Sequence, residues 1–343
     1  MKYIFKYLLI SFFLLIASCN SVQNVCNFDG VTYDFNSKNI KLNNKNISSI
    51  PSCIGYLNNL KILNLNKNKI SELPISIGQL NNLEKLYLSQ NKLLSLPNSI
   101  GNLENLISLI VPHNFIKNIP NNISKLKKMK HLNFKLNKLD SIPLSLFEIK
   151  SLELLDFSAN TIKTLPDDIG NLINLKDFYF DRNQLKKIPT SIMRLKKLRK
   201  LSVIFNQLTE IPEALGYLKN LQMFNCRGNS IKKLPINLGD MTNLQNLDVS
   251  ENNITELPIG ISGLLNIKTL KLSKNQIKSI PEGIGSLIKL EKFDLSFNPI
   301  THLPESIKYL KSNLKKLTLS SCKFSDKEKE KIKIWLPNTN IIW

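Results

Sequence analysis

Histidine and cysteine are scarce in this 343-residue sequence, which has three of the first and five of the second. It has no Cys-x-x-Cys pair and no Cys/His cluster, whereas a zinc site needs several such ligands at characteristic spacings. The sequence therefore predicts no metal site and no bound cofactor. Linkers and low-complexity segments are also lacking, so we expect one elongated domain rather than the two that the length alone would suggest.

Long apolar runs are missing as well. The run from Leu8 to Ala17 has about ten residues, too few to span a bilayer but typical of a signal-peptide core, and Lys2 and Lys6 precede it. We predict a signal peptide over residues 1–18. The junction Ile16-Ala17-Ser18-Cys19 resembles the bacterial lipoprotein box, in which a peptidase cuts before a cysteine that carries a diacylglycerol. The resemblance implies lipidation of Cys19, and the alternative is an ordinary signal peptide followed by a chance cysteine.

A lipidated Cys19 would place the protein in a bacterial cell envelope, with the membrane as a partner through the lipid anchor. Asn20 follows the cysteine, whereas inner-membrane retention in enteric bacteria is associated with an aspartate there. We therefore expect an outer-membrane lipoprotein, although sorting rules differ among bacteria and surface exposure is left open.

Acidic residues are few: 26 against 47 lysines and arginines, a net charge of +21. Without the leader, 47 − 2 = 45 basic residues face the 26 acids, which leaves +19. Such a balance suits nucleic acid, an anionic glycan or a membrane surface. The lysines are spread along the chain among many Asn and Ile residues, which indicates coding bias as much as a partner. Export argues against nucleic acid, so we predict no nucleic-acid partner and keep an anionic glycan as an alternative.

The dominant pattern is a 23-residue repeat. Proline recurs at this interval from Pro51 to Pro304, and an asparagine stands six residues before every proline except the first, from Asn68 to Asn298, giving twelve prolines and eleven asparagines in fixed phase. One unit reads LKILNLNKNKISELPISIGQLNN from Leu60 to Asn82. Its LxLxxN alternation has the period of two of a strand with one buried face. A repeat of this length predicts a solenoid of stacked coils.

The consensus LxxLxLxxNxLxxLPxxIGxLxx resembles the leucine-rich-repeat family, in the 23-residue form of bacterial proteins and of Ras-signalling scaffolds. The resemblance covers roughly residues 40–322 and implies an α/β horseshoe. Its concave face is expected to be a parallel β-sheet and its convex segments irregular or briefly helical. The asparagine is expected to pair with backbone groups at a tight bend after each strand, because leaving them unpaired costs about 1–3 kcal/mol each.

The ends of the array depart from the repeat, as capping units do. We predict an N-terminal segment and cap over 19–39, about thirteen coils over 40–322, and a C-terminal cap over 323–343. Lys45 takes the ladder position of the first coil, and Cys322 takes it in the last after an interval of 24. Ser325 is expected to begin a short helix, followed by a strand-like NIIW that closes the core and hides the last sheet edge.

The remaining cysteines have different expected roles. Cys26 and Cys53 flank the degenerate first repeat, where an exported chain could hold a frayed cap with a disulfide. Two reduced, packed thiols are the alternative. Cys226 falls at a core strand position and is expected to act as a small apolar residue.

The concave face is the predicted binding surface, because residues between the buried leucines of each strand point outward. Its central coils have apolar and aromatic side chains interspersed with charges, as a protein-binding surface needs. Scattered surface apolars are the alternative interpretation. The strip would be roughly 30 Å long, enough for about 800 Å² per partner. The predicted partner-binding residues are Tyr87, Ile110, Asn133, Leu154, Asp156, Asp177, Tyr179, Asp181, Ile204, Phe205, Met223 and Arg227.

A catalytic role is an alternative because Asp156, Asp177 and Asp181 are expected on adjacent strands around Tyr179, and paired carboxylates can act as acid and base when one is desolvated. An open sheet desolvates little, and Asp177 is one strand from Lys200. The three histidines do not converge. We therefore predict a non-enzymatic, monomeric protein.

These observations favour a lipid-anchored module of a bacterial envelope that recognises a protein partner on its concave sheet. One alternative is an envelope scaffold that binds anionic polysaccharide or lipopolysaccharide by charge. Another is a cytoplasmic scaffold for a small GTPase, against which the leader counts.

Overall fold

The computed structural model describes residues 25–28 and 30–343. The predicted signal peptide and Cys19 lie outside the described residues. The chain forms a solenoid. Each repeat coil has one three-residue strand, a bend, an extended segment ending in proline and a 3₁₀ helix that leads to the next strand. In the described part of the chain, no helix is long and apolar enough to cross a membrane.

The strands form a parallel 14-stranded sheet in chain order. Neighbouring strands from β3 to β14 pair residues that are 23 apart, such as Lys85 with Ser108. The strands are β3 (Asn39–Lys41), β4 (Ile62–Asn64), β5 (Lys85–Tyr87), β6 (Ser108–Ile110), β7 (His131–Asn133), β8 (Leu154–Asp156), β9 (Asp177–Tyr179), β10 (Lys200–Ser202), β11 (Met223–Asn225), β12 (Asn246–Asp248), β13 (Thr269–Lys271), β14 (Lys292–Asp294), β15 (Lys316–Thr318) and β16 (Asn340–Ile342).

The opposite side of the solenoid consists of short 3₁₀ helices, each beginning directly after a repeat proline. Proline suits this place because its fixed φ leads into the helix and no donor is lost. The twelve helices are Ser52–Tyr56, Ile75–Gln79, Asn98–Asn102, Asn121–Lys125, Leu144–Glu148, Asp167–Asn171, Thr190–Arg194, Glu213–Tyr217, Ile236–Asp240, Ile259–Gly263, Glu282–Ser286 and Glu305–Leu310. The predicted fold class is confirmed: a parallel concave sheet with short helical convex segments.

The core is a continuous column of leucine, isoleucine and phenylalanine between sheet and helices. Leu63 and Leu65 of one coil are both fully buried, as the alternating pattern predicts. Phe134, Phe157 and Phe180 pack against one another in consecutive coils, the first pair stacked with ring centroids 6.1 Å apart and the second edge to face at 6.4 Å. Cys226 is buried among these apolar residues, and burial raises the pKa of its thiol well above the usual value. Aromatic rings therefore fill the interior directly beneath the central coils.

Glycine is required where the convex helices of two coils touch. At Gly101 an added Cβ would lie 2.2 Å from the backbone oxygen of Asn122 in the next coil. Any larger residue would force the two coils apart. This contact explains why an Ile-Gly pair recurs in the helical part of many repeats.

The repeat asparagines form a buried ladder along the bend after each strand. The side-chain Nδ2 of Asn183 donates to the backbone oxygen of Phe157 at 3.0 Å, in the preceding coil, and to that of Asp181 at 3.2 Å in its own. Its Oδ1 accepts from the backbone N–H of Ile162 at 3.0 Å. At all eleven repeat asparagines, Nδ2 donates to the backbone oxygen 26 residues earlier, and Oδ1 accepts from the backbone N–H 21 residues earlier.

Both ends of the ladder behave as the spacing predicts. Lys45 contributes only its backbone N–H, which donates to Asn68 Oδ1 at 3.0 Å while its side chain is exposed. Cys322 replaces the last asparagine, and its Sγ donates to the backbone oxygen of Leu295 at 3.3 Å. Burial raises the pKa of this thiol, so it stays a protonated donor.

A second, exposed asparagine ladder runs along the convex side and was not anticipated from the sequence. Its members donate from Nδ2 to a backbone oxygen 24 residues earlier, for instance Asn105 to Asn81 at 2.7 Å and Asn220 to Lys196 at 2.7 Å. Lysines take part from the next coil, since Lys197 Nζ lies 2.7 Å from Asn174 Oδ1. Most coils are therefore tied to a neighbour by amide groups on both sides.

At the N-terminal end, the antiparallel strands β1 (Val25–Phe28) and β2 (Val31–Asp34) precede the large sheet. Cys26 and Cys53 form a disulfide with a Cα separation of 5.5 Å, so β1 is bonded to the first convex helix. Phe35 packs against Tyr56 of that helix with ring centroids 5.8 Å apart.

At the C-terminal end, Ser325 caps the helix α1 (Asp326–Trp335) by accepting the backbone N–H of Glu328. Ile332 and Leu336 are buried over the last coil, and Trp343 meets Phe324 edge-on. Strand β16 pairs in parallel with β15. The tail therefore covers the edge of the repeat array, as predicted, but does so by adding a strand, so that β16 itself is the outermost strand described.

We predict that Asn183→Ala lowers the free energy of unfolding by about 1–3 kcal/mol, because it leaves backbone groups of two coils unpaired in a dry interior. Lys45→Ala, at the same repeat position but exposed, should change stability little. Denaturant melts of both variants provide the measurement, and equal losses would show that the buried amide has no special role.

Candidate functional site

The concave face has a central strip of apolar side chains, which we define as Tyr87, Ile110, Leu154, Tyr179, Ile204 and Met223. All six are half-buried. All of them lie in strands except Ile204, which comes just before the bend that follows β10. The sheet therefore fixes their spacing. The alternating strand geometry points them away from the core. The strip is thus a row of partly exposed anchors on a rigid base, above the packed phenylalanines.

Asp177 and Tyr179 lie on the same strand, β9, and face its neighbour β10. Asp177 Oδ2 is 3.7 Å from Lys200 Nζ, so the ion pair expected from the sequence is present. Burial, followed by the negative charge of Asp177, raises the pKa of Tyr179. The phenol therefore stays neutral and can donate a hydrogen bond to a partner at any physiological pH.

Asp181 serves the sheet itself more than an outside partner. One of its oxygens, Oδ1, accepts both from the Ser202 hydroxyl at 2.6 Å and from the backbone N–H of Ile204 at 2.8 Å. Burial raises the pKa of this carboxyl, against the effect of those two hydrogen bonds. Asp181 lies on the concave face beside the strip, but hydrogen-bond donors of the sheet already occupy its carboxylate, and it holds Ile204 in position.

Asn133 and Asp156 are neighbours in the middle of the sheet. Asn133 Nδ2 is 3.5 Å from Asp156 Oδ2, and Asp156 Oδ1 accepts from the backbone N–H of Ser158 at 2.8 Å. Asp156 therefore keeps acceptor capacity toward the open face. These two residues give the strip polar groups that could fix the register of a bound chain.

Phe205 lies at the edge of the strip, where the backbone has φ of 49°. Its ring covers Gly228 in the next coil, and an added Cβ there would be 2.3 Å from Phe205 Cδ1. The guanidinium carbons of Arg182 and Arg227 are 5.1 and 5.6 Å from the ring centroid. Such contacts are worth about 0.5–1 kcal/mol each at exposed sites. Phe205 is therefore held between two cations, and Arg182 joins the predicted site as a residue that the sequence analysis missed.

Arg227 also marks the polar end of the strip. Its guanidinium is 2.9 Å from Glu251 Oε1, which Lys274 Nζ approaches at the same distance. Hydrogen bonds from Lys274 and Arg227 lower the pKa of Glu251. Beyond this network the inner positions of the next coils are serines, among them Ser250 and Ser273. The face thus changes from apolar anchors to small polar residues.

The arrangement offers little for catalysis. The three carboxylates near Tyr179 have the separate partners given above, and the sheet is open to solvent. Within residues 25–28 and 30–343, no group of three or more His, Cys, Asp or Glu side chains is placed to hold a metal ion. What the face can do is present fixed apolar and polar groups to a large ligand.

The residues that the sequence analysis missed share one repeat position. The residue before each ladder position has a left-handed backbone in every coil from Lys67 to Phe297, with φ between 49° and 69°. Arg182 and Gly228, which were missed, occupy this position, and so does Phe205, which was predicted. A search of the sequence for the residue preceding each repeat asparagine would have found them.

We predict that Gly228→Ala costs about 1–2 kcal/mol, because a Cβ is strained in the left-handed region and the Phe205 ring must move away from it. The matched control is Ala159→Gly, at the same repeat position with φ of 56°, which relieves that strain and should not destabilise. Denaturant melts compare the two variants. A harmless Gly228→Ala would show that the ring does not rest on the glycine.

Comparison with known proteins finds family models and solved structures that are similar to this chain. Family models described as leucine-rich repeat match residues 13–140, 114–227 and 242–300. The structure of the leucine-rich-repeat protein LIC12759 from Leptospira interrogans is similar, with 31% identity, a TM-score of 0.62, and coverage of 89% of this chain and 95% of that one. Among curated proteins the comparison finds no match.

Two further solved structures show how widely the fold recurs. An internalin, inlF, from Listeria monocytogenes has 24% identity and a TM-score of 0.78, covering 91% of this chain and 89% of that one, which shows a shared fold alone. The plant peptide hormone receptor RGFR1, in complex with RGF2, has 30% identity and a TM-score of 0.74. The similarity covers 84% of this chain and 48% of the receptor, so this chain spans about half of its length.

The sheet, ladder and coils define a leucine-rich-repeat solenoid, and the family matches agree with that class. The chain belongs to the leucine-rich-repeat family, as the repeat consensus predicts. This fold is a protein-binding scaffold, and its members are typically non-enzymatic interaction modules. The particular residues proposed for binding remain a prediction.

Proposed function

We propose that this protein is a lipid-anchored, protein-binding module of a bacterial cell envelope, and that the central strip on its concave sheet is where a protein partner docks. The observation that supports this most is the contrast along the face. Half-buried anchors such as Tyr179 and Ile204 occupy the central coils, whereas small serines occupy the inner positions of the last ones.

The physics of the strip suits a protein ligand. Anchors that are already half-buried lose little conformational entropy when a partner covers them, and a few such residues carry most of an interface's energy. Asn133 and Asp156 supply polar groups between the anchors. The solved complex of the plant receptor RGFR1 with RGF2 gives a precedent for ligand binding on this fold.

The envelope location rests on the sequence. The apolar run from Leu8 to Ala17 and the Ile16-Ala17-Ser18-Cys19 junction support export and lipidation, and a disulfide between Cys26 and Cys53 suits an oxidising compartment. We further propose an outer-membrane location and a monomeric state. LIC12759, from the bacterium Leptospira interrogans, shares most of the chain length.

The docking site predicts a loss of affinity for two anchor variants. Tyr179→Ala and Ile204→Ala should each weaken binding of the partner by about 1–2 kcal/mol or more, because truncation leaves an unfilled contact at the centre of the interface. Ser273→Ala lies on the same face beyond the strip and should be neutral. The measurement is partner affinity after a pull-down with the purified protein, with folding checked by circular dichroism.

A different set of binding results would place the ligand on another surface of the protein. If both anchor variants bind normally while charge reversal of Lys196 and Lys197 on the convex side abolishes binding, the ligand is held by charge and the docking proposal is wrong. Strong weakening by added salt would accompany that result, because screening acts on exposed charges.

The proposed lipid anchor at Cys19 is tested separately from partner binding. Cys19→Ala should release the protein from membranes or leave the leader uncleaved, because stable attachment of a lipoprotein needs more than one acyl chain and all of them depend on this cysteine. Membrane fractionation and mass spectrometry of the Cys19 peptide report the outcome. An unmodified Cys19 together with unchanged fractionation would exclude lipidation.

A further inference from the structure

A second surface lies beside the concave sheet, along the loops that connect each ladder position to the next proline. We call it the loop flank. In the second to the seventh coil it comprises residues 67–73, 90–96, 113–119, 136–142, 159–165 and 182–188. Each loop begins with the left-handed residue and runs outward to a buried residue before the proline, so its exposed side chains form one surface.

Three large apolar side chains are exposed on this flank in consecutive coils. Leu94 is 60% exposed, Phe115 46% and Leu136 38%. Their loops are directly adjacent, because the backbone N–H of Lys117 donates to Leu94 O at 3.4 Å and that of Asn114 donates to Leu136 O at 3.2 Å. Together they form a diagonal apolar ridge.

The repeat itself shows that two of the three ridge residues, Leu94 and Phe115, depart from the usual composition of the flank, whereas the position of Leu136 is also apolar at Phe205 and Phe297. The position of Leu94 is polar in every other coil, where it is Ser71, Lys117, Asp140, Lys163, Lys186, Thr209, Lys232, Thr255, Lys278 or Thr301. The position of Phe115 is Lys, Thr, Gln, Ser or Asn elsewhere except at Pro299. The array stacks equally well with polar residues at both positions, so packing of the solenoid does not explain the apolar ones.

The ridge lies within a row of lysines. Every loop from the second to the seventh coil has at least one, and the set is Lys67, Lys69, Lys92, Lys117, Lys138, Lys163, Lys186 and Lys187. The same loops contain two acids, Glu72 and Asp140. In the part of the chain that the structure describes, none of these eight lysines forms an ion pair. In later coils Lys233 of this flank does, with Glu256 at 3.9 Å.

The chemistry of the ridge fits an anionic lipid surface better than a protein. Lysine is depleted in protein interfaces, where arginine is preferred, and three apolar side chains are few for an interface of about 800 Å² per partner. A membrane surface requires less: a short apolar ridge that enters the headgroup region, and lysines nearby that each gain about a factor of five in affinity from anionic lipid.

We infer that the loop flank of the second to the seventh coil rests on a membrane that contains anionic phospholipid, with Leu94, Phe115 and Leu136 in the headgroup region and the lysines over the phosphates. This surface is distinct from the central strip. It needs neither lipidation of Cys19 nor a protein partner.

The test uses the full chain with a fluorescent probe at the ridge. Phe115→Trp is incubated with vesicles that contain brominated phosphatidylcholine and an equal amount of phosphatidylglycerol, and lipid quenching of the added indole is measured. Trp335 and Trp343 of the unsubstituted chain give the background. The matched control is Gln207→Trp, at the same repeat position in an eighth-coil loop outside the ridge. Quenching is expected for F115W and not for Q207W.

Charge is tested by replacing lysines on two faces. K92Q/K117Q/K138Q in the F115W chain should weaken the contact by about 100-fold and abolish quenching. K127Q/K128Q/K150Q, on the convex side, removes the same charge and should leave quenching intact. A lipid anchor would bring every variant to the vesicles equally. Only contact of the flank with the membrane would quench a tryptophan at residue 115 more than one at residue 207.

Three results would overturn the inference. The first is no quenching of F115W on anionic vesicles, and the second is equal quenching of F115W and Q207W. The third is a response of F115W to soluble polyglutamate but not to vesicles, which would make the flank a site for an acidic polymer or protein.

Discussion

The amide side chain of one asparagine per coil is hydrogen-bonded to the backbone of its own coil and of the preceding one, and this double attachment is what keeps the coils in register. Asn183 illustrates it, with donors directed to Phe157 and Asp181 and its oxygen accepting from Ile162. The bend after the strand is sharp enough to need a left-handed residue, so its backbone groups have no ladder partner of their own. Without the amide they would be buried and unpaired, which is costly. Sheet spacing, the burial of the leucines and the position of every concave residue follow from this contact.

Most of the fold could be predicted from the sequence because the repeat fixes it one coil at a time. The asparagine phase located the bend, and the interval of 24 before Cys322 correctly placed a thiol at the end of the ladder. The site was predicted less completely. Asp181 was grouped with outward charges, but Ser202 and Ile204 already donate to it. The direction of the Phe205 ring depends on the missing side chain of Gly228 and on two arginines. These contacts depend on distances between side chains of adjacent coils, and the repeat pattern along the sequence does not give those distances.

The left-handed residue before each ladder asparagine also divides the surface into two. On one side of it, the strand presents the concave face with its apolar anchors and paired charges. On the other, the loop flank turns away and, in the second to the seventh coil, carries lysines that form no ion pair within the described residues. The same coils can therefore present two different chemistries without interference, because a rigid bend separates them. A protein held against a membrane by its flank would keep its concave sheet free for a soluble ligand.

The hydrogen bonds of the two asparagine ladders lie within a coil or join it to an adjacent one, so none of them depends on the total length of the array. Unequal recombination that removes or duplicates a whole 23-residue unit would leave each remaining amide with equivalent partners, whereas an insertion between a strand and its ladder asparagine would shift the ladder against the sheet. The number of coils is therefore free to vary in evolution while the register is not. Relatives with longer or shorter arrays would then differ in the curvature and reach of the concave face, and their binding sites would slide along the solenoid in steps of one strand.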